Sequence, residues 1–146
     1  MRLLIVLLLS FSAAAADSAL VEKIDQLIEK FNEPYAGVIR SFSAEFGDVH
    51  HLRLYEKVSF LDRLRGKEGK EYWYIATIDA NGRVKITEAG TAEEYYSMSL
   101  DDFDEVYATV MEKGAMTKSD AIKLALKVKV EPKMQWIRIL RWLLSL

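Results

Sequence analysis

Residues 71–88 read EYWYIATIDANGRVKITE, and this stretch decides the fold. Glu71 to Asp79 is dense in aromatic and β-branched side chains, the composition of a well-packed strand. Asn81-Gly82 follows, and that dipeptide supplies the positive φ angles of a tight two-residue hairpin. Arg83 to Glu88 then alternates apolar and polar residues, as a returning strand with one dry face does. Upstream, Leu52 and Leu54 share one face of a strand within Val49 to Val58. Between these strands, Arg63 to Lys70 is charged, holds two glycines and reads as an exposed loop. Downstream, Glu94 to Met98 forms a fourth strand. Ile122 to Val130 alternates apolar residues with Lys123, Ala125, Lys127 and Lys129, which predicts a fifth.

Helices flank this sheet. Leu20, Ile24, Leu27, Ile28 and Phe31 form one stripe at a 3.6-residue period, ended by Asn32-Glu33-Pro34 because Pro34 has no amide to donate. Asn32 is a candidate cap for a second helix carrying Tyr35, Val38, Ile39 and Phe42, with Gly47 beyond its end. Ser99 opens a capping box with Asp102 in the usual Glu place, and Asp101, Asp102, Asp104 and Glu105 complement the positive helix end. That helix closes at Lys113-Gly114, and Thr117 or Ser119 can start one further turn. The reading is therefore an α+β fold, an antiparallel sheet of about five strands covered on one side by helices.

The 146 residues suit a single domain, and 51% hydrophobic content is enough for a core without staples. No cysteine is present, which excludes disulfides, thiolate metal sites and cysteine nucleophiles. A net charge of −2 argues against nucleic-acid binding driven by bulk electrostatics. Residues 1–16 read as a signal peptide: Met1-Arg2, an apolar run from Leu3 to Phe11, then Ala13 to Ala16 before Asp17. An uncleaved N-terminal anchor is the alternative. The expected product is an exported (secreted, periplasmic or otherwise extracytoplasmic) domain spanning 17–146.

Catalytic patterns are sparse. His50 and His51 are the only histidines, and neighbours on a strand point to opposite faces, so they do not share a metal. No phosphate-binding glycine loop, nucleophile elbow or zinc-helix motif occurs. The acidic cluster at 101–105 is explained by its place in a first helical turn. The expectation is a protein without catalytic residues, metal or cofactor.

The segment Lys133 to Leu146 is the most unusual. Gln135, Arg138, Arg141 and Ser145 make a narrow polar stripe, and apolar residues fill the rest, far wider than an ordinary surface helix carries. Core, a bound lipid, a membrane surface or a second subunit could each cover it. Trp136, Arg138, Arg141 and Trp142 are candidates for membrane or partner contact, since Trp and basic residues suit the membrane interface. The group Tyr72, Trp73, Tyr74, Tyr95 and Tyr96 is either sheet packing or the wall of a cavity.

Two passages carry a resemblance. TAEEYYSMSLDDFDEVYATVMEKG and AMTKSDAIKLALKVKVEPKM, residues 91–134, resemble the strand-to-helix passage and the short helix and basic strand of the type-two sterol carrier protein domain. Ala125 and Glu131 stand where that family often has Gly. The resemblance implies a sheet covered by helices with an apolar tunnel between them, binding sterols, fatty acyl chains or related lipids by burial alone. Apolar faces nominate Phe103, Tyr107, Val110 and Met111 on one helix, with Met134, Ile137 and Leu140 on the last, as ligand-binding residues. The expected function is lipid binding or transfer, with an apolar small molecule as partner and no nucleic acid. The alternative is an interaction module whose last helix docks on a partner, a second subunit or a membrane.

Overall fold

The hairpin forms where the sequence places it. A computed structural model describes residues 18–114 and 117–146. Strand β2 (Glu71–Ile78) pairs antiparallel with β3 (Val84–Glu88), from Tyr74↔Glu88 to Ile78↔Val84. The turn is wider than two residues. The Asp79 amide donates to the Arg83 carbonyl at 2.9 Å and the Gly82 amide to the Asp79 carbonyl at 3.0 Å, and only Gly82 takes a positive φ, 77°. This is a type I turn followed by a glycine bulge. Asp79 fixes it, its Oδ1 accepting from the Asn81 and Arg83 amides. Gly82 is required twice, by its φ and by a Cβ that would stand 2.3 Å from the Ala36 carbonyl oxygen.

Strand β1 (Val49–Tyr55) joins the other edge of β2, antiparallel in the register Leu52↔Tyr74 and Leu54↔Tyr72. The chain then crosses over, so β4 (Tyr95–Ser99) lies parallel to β1, and β5 (Lys129–Glu131) pairs antiparallel with β4. The order is β3-β2-β1-β4-β5. The fold is α+β with five strands and helices, as expected, and three of its four strand pairings are antiparallel. The parallel one is set by the crossover, a non-local feature.

Residues 18–32 are helical (α1), and α2 spans Ala36–Phe46. Asn32 is not the cap of α2. Its side chain instead accepts from the Val84 amide at 2.8 Å and donates to the Val84 carbonyl at 3.2 Å, tying the α1 end to the hairpin. A short helix, α3 (Phe60–Leu64), capped by Ser59, precedes the expected loop and takes its first two residues, Arg63 and Leu64. Helix α4 (Leu100–Lys113) starts as read, with the Ser99 hydroxyl accepting from the Asp102 amide at 3.1 Å.

The strand expected over Ile122–Val130 is not one strand. Helix α5 (Lys118–Ala125) takes its first half, and only Lys129–Glu131 pairs as β5. The reason is a complete capping box: Thr117 accepts from the Asp120 amide, and the Asp120 carboxylate accepts from the Thr117 amide. Ala121, Ala125 and the i, i+4 pair Ile122 and Leu126 suit a helix as well as alternation suits a strand. The basic row is thereby dispersed; Lys127 pairs with Glu105 at 2.9 Å and Lys129 sits over the Tyr55 ring. Helix α6 (Met134–Ser145) closes the described chain. The leader expected at residues 1–16 lies outside the described residues.

Helices α1, α2, α4 and α6 gather on the sheet face carrying His50, Leu52 and Leu54, and the core there is split. Ile24, Leu54, Tyr74 and Phe103 form one buried cluster, with Leu20, Val21, Leu27 and Ile28 of α1 packed on it. Val130, Ile139 and Leu143 form another, flanked by Phe46, Trp136 and Trp142. Each fully buried side chain of this size contributes about 1.5–3 kcal/mol. Domains of this size usually have one contiguous core, so the space between the two clusters needs an explanation.

Candidate apolar binding site

Helix α2 spans that space and is held at its ends. At its start the Ala36 carbonyl touches the Gly82 turn. At its far end Phe42 packs tilted against His50, with ring centroids 5.0 Å apart, and edge-on against Trp142 of α6 at 5.3 Å. Phe46 also meets Trp142, and the Trp142 indole N–H donates to the Ser41 hydroxyl at 3.0 Å. Between these supports, Val38 and Ile39 face a gap.

The gap consists of two neighbouring hollows. One, of about 400 Å³, has a floor of Leu52, Ala76, Ile78, Val84 and Tyr96 from four strands, roofed by Val38, Ile39, Phe42 and Trp142. The other, of about 510 Å³, runs outward between Leu27, Ile28 and Phe31 of α1, Ala121 of α5, and Trp142, Leu143 and Leu146 at the chain end. Val38, Ile39, Val84 and Trp142 line both. A smaller hollow of about 160 Å³ beside Phe103 adjoins the first through Leu52, Tyr96 and Val128. The two larger hollows fall in the size range of small-molecule sites, about 300–1,000 Å³.

Polar groups stand at the edges. Thr117 and Lys118 border the outer hollow, and the Lys118 ammonium donates to the Leu144 carbonyl at 3.1 Å. His50 lies on the wall of the inner one, its Nε2 2.7 Å from the Gly47 carbonyl, which can only accept. Burial pushes the His50 pKa below 6.5, against the opposing pull of the Gly47 carbonyl and Asp48, and so favours the neutral ring. Burial also raises the Tyr96 phenol above its ordinary value. Among the described residues no group of three or more His, Asp and Glu side chains could hold a metal, and no helix is long and apolar enough to cross a membrane.

The residues nominated from sequence are distributed differently. Phe103 and Val110 are buried, and Phe103 lines the hollow of about 160 Å³. The Tyr107 hydroxyl bonds to Gln26 of α1, and Met111 is half-buried. On α6, Met134 and Ile137 are 82% and 62% exposed, and Leu140 is half-buried. The α4 set and the α6 set therefore do not close on one hollow; α1 packs beside α4 through Tyr107–Gln26 and Lys23–Asp104. Helix α6 turns Trp142, Leu143 and Leu146 to the gap instead. Trp136 packs on the Val130 cluster, Arg138 lies over the Phe46 ring and 3.7 Å from Glu45, and Arg141 is exposed. The α2 stripe of Val38, Ile39 and Phe42 was visible in the sequence as an apolar face. Ala76 carried no signal.

Comparison with known proteins returned no matching family model, no similar curated protein and no similar solved structure.

Proposed function

We propose that the protein is an exported, non-enzymatic carrier that holds an elongated apolar molecule, such as a fatty acyl chain, sterol or isoprenoid, in the groove beneath α2. The observation that carries this reading is the pair of neighbouring hollows with shared lining residues, walled mostly by apolar side chains, between the two core clusters. Empty apolar space forfeits dispersion contacts, and each methylene moved from water into it contributes about 0.8 kcal/mol before ordering costs. Thr117 and Lys118 offer a polar rim for a carboxylate or hydroxyl head while the tail passes Trp142 toward Ala76.

The test is a titration with a fluorescent long-chain fatty acid and a fluorescent sterol, read as quenching of tryptophan emission. Saturable one-to-one binding whose quenching falls sharply in Trp142→Phe supports the carrier. Absence of saturable binding by either probe contradicts it.

A second reading draws on the exposed Met134, Ile137 and Leu144 of α6. It makes that helix a docking face for a partner, a second copy or a membrane. A concentration-dependent dimer abolished by Ile137→Asp would favour it.

A further inference from the structure

Residues 57–69 leave the sheet between β1 and β2 on a pinned base. The Glu56 amide donates to the Lys70 carbonyl at 2.9 Å, and a Cβ at Gly69 would stand 2.5 Å from the Glu56 carbonyl oxygen, so the two backbones pass as closely as glycine allows. On this base Ser59 caps α3, and the Lys67 amide donates to the Asp62 carbonyl at 2.9 Å beyond the helix end. The excursion is a built element, and what it displays is apolar. Phe60, Leu61 and Leu64 are 75%, 64% and 68% exposed and belong to neither core cluster.

The surroundings are basic. Residues 57–70 carry Lys57, Arg63, Arg65, Lys67 and Lys70 against Asp62 and Glu68, a local excess of three positive charges in a chain whose net charge is −2. Beside α3 lies a polar groove of about 550 Å³, where Arg63, Lys67 and Lys70 meet Arg53 and Lys129, with three carboxylates among them. Arg53 is committed to Glu71 at 2.5 Å; Arg63, Lys67 and Lys70 are exposed.

We propose that α3 is a docking finger for an anionic phospholipid surface. Phe60, Leu61 and Leu64 enter the boundary between headgroups and acyl chains, and the surrounding cations pair with lipid phosphates. Charge complementarity selects this occupant, because large exposed apolar side chains in a segment rich in Lys and Arg match a layer of phosphates over hydrocarbon. Each cation near such a surface contributes about fivefold to binding, and the attraction is screened by salt. The inference rests on α3 and its charges, and holds whether or not the groove beneath α2 carries a lipid.

The absence of cysteine makes the test clean. Leu61→Cys on α3 and Leu126→Cys, equally exposed just after α5, are each labelled with an environment-sensitive dye and mixed with vesicles. Vesicles of equal parts phosphatidylcholine and phosphatidylglycerol should blue-shift the dye at 61 and leave the dye at 126 unchanged; pure phosphatidylcholine should do neither. Cosedimentation with the mixed vesicles should fall at least tenfold in Phe60→Ser/Leu61→Ser/Leu64→Ser and in Arg63→Glu/Arg65→Glu/Lys67→Glu. Matching thermal unfolding would show both variants folded. Equal shifts at both positions, equal binding to neutral vesicles, or undiminished binding in both variants would overturn the proposal. So would a blue shift that follows protein concentration without vesicles, which would mark contact between copies.

Discussion

Enlarging Ala76 separates a real hollow from a tight core by the sign of its effect. Ala76 is 7% exposed on the floor of the inner hollow, opposite His50 on β1 and Ile86 on β3. Ala76→Leu adds three carbons. If they enter unoccupied apolar space they contribute about 2.4 kcal/mol at about 0.8 per carbon. Fixing the leucine rotamer removes about 0.5–1 kcal/mol of this. The delipidated variant should gain about 1–2 kcal/mol, or roughly 4 °C per kcal/mol in a domain of this size. In a filled core the same change costs about 1–3 kcal/mol through strain. Urea unfolding of delipidated protein, with the slope checked for constancy, measures the difference directly. Binding should move the other way, since the acyl chain loses the space the leucine takes, and affinity for a long fatty acid should fall at least tenfold. A delipidated Ala76→Leu destabilised by more than about 1 kcal/mol, with fatty-acid affinity unchanged, would refute the reasoning.

Three further outcomes follow from the geometry. Because burial holds His50 below its ordinary 6.5, the unfolded chain binds more protons as the pH falls below that value. The His50 contribution to stability is therefore full above pH 6.5 and declines on acidification toward the folded-state pKa; His50→Phe, which keeps a ring against Phe42 and Tyr96, should lessen that slope in pH-dependent urea melts. Gly82→Ala meets both a φ of 77° and the Ala36 carbonyl, so it should cost about 2 kcal/mol or more, read by thermal unfolding. Asn32→Ala removes both hydrogen bonds to the Val84 backbone and should cost about 1–3 kcal/mol, with earlier amide exchange at Val84 than at Ile75.

What could be read from the chain alone was local. The hairpin at 71–88 announced itself because a period of two, aromatic composition and an Asn-Gly turn all lie within eighteen residues. Ser99 was legible as a cap for the same reason. Residues 122–130 misled because their alternation competes with a helix started several residues earlier by Thr117 and Asp120, and the cap prevailed. Short α3 escaped notice beneath its charges, although Ser59 with Asp62 three residues on is itself a cap signal. The parallel pairing of β1 with β4 joins residues more than forty positions apart, beyond any periodicity.

The site was legible only in outline. The breadth of apolar surface on α6 signalled that something must cover it, and Ile139 and Leu143 are indeed buried while Met134 and Ile137 are not. The floor of the groove is assembled one or two side chains at a time from β1, β2, β3 and β4. No single segment therefore carries its pattern, and a small residue such as Ala76 matters through the space it leaves.

The most direct test of the carrier account is native mass spectrometry of the purified protein, before and after delipidation and addition of a long-chain fatty acid or a sterol. The account predicts one apolar molecule per chain, removed by delipidation, restored by one of the added lipids and reduced in Ala76→Leu. A clean ligand-free mass throughout, with no uptake of either lipid, would contradict it.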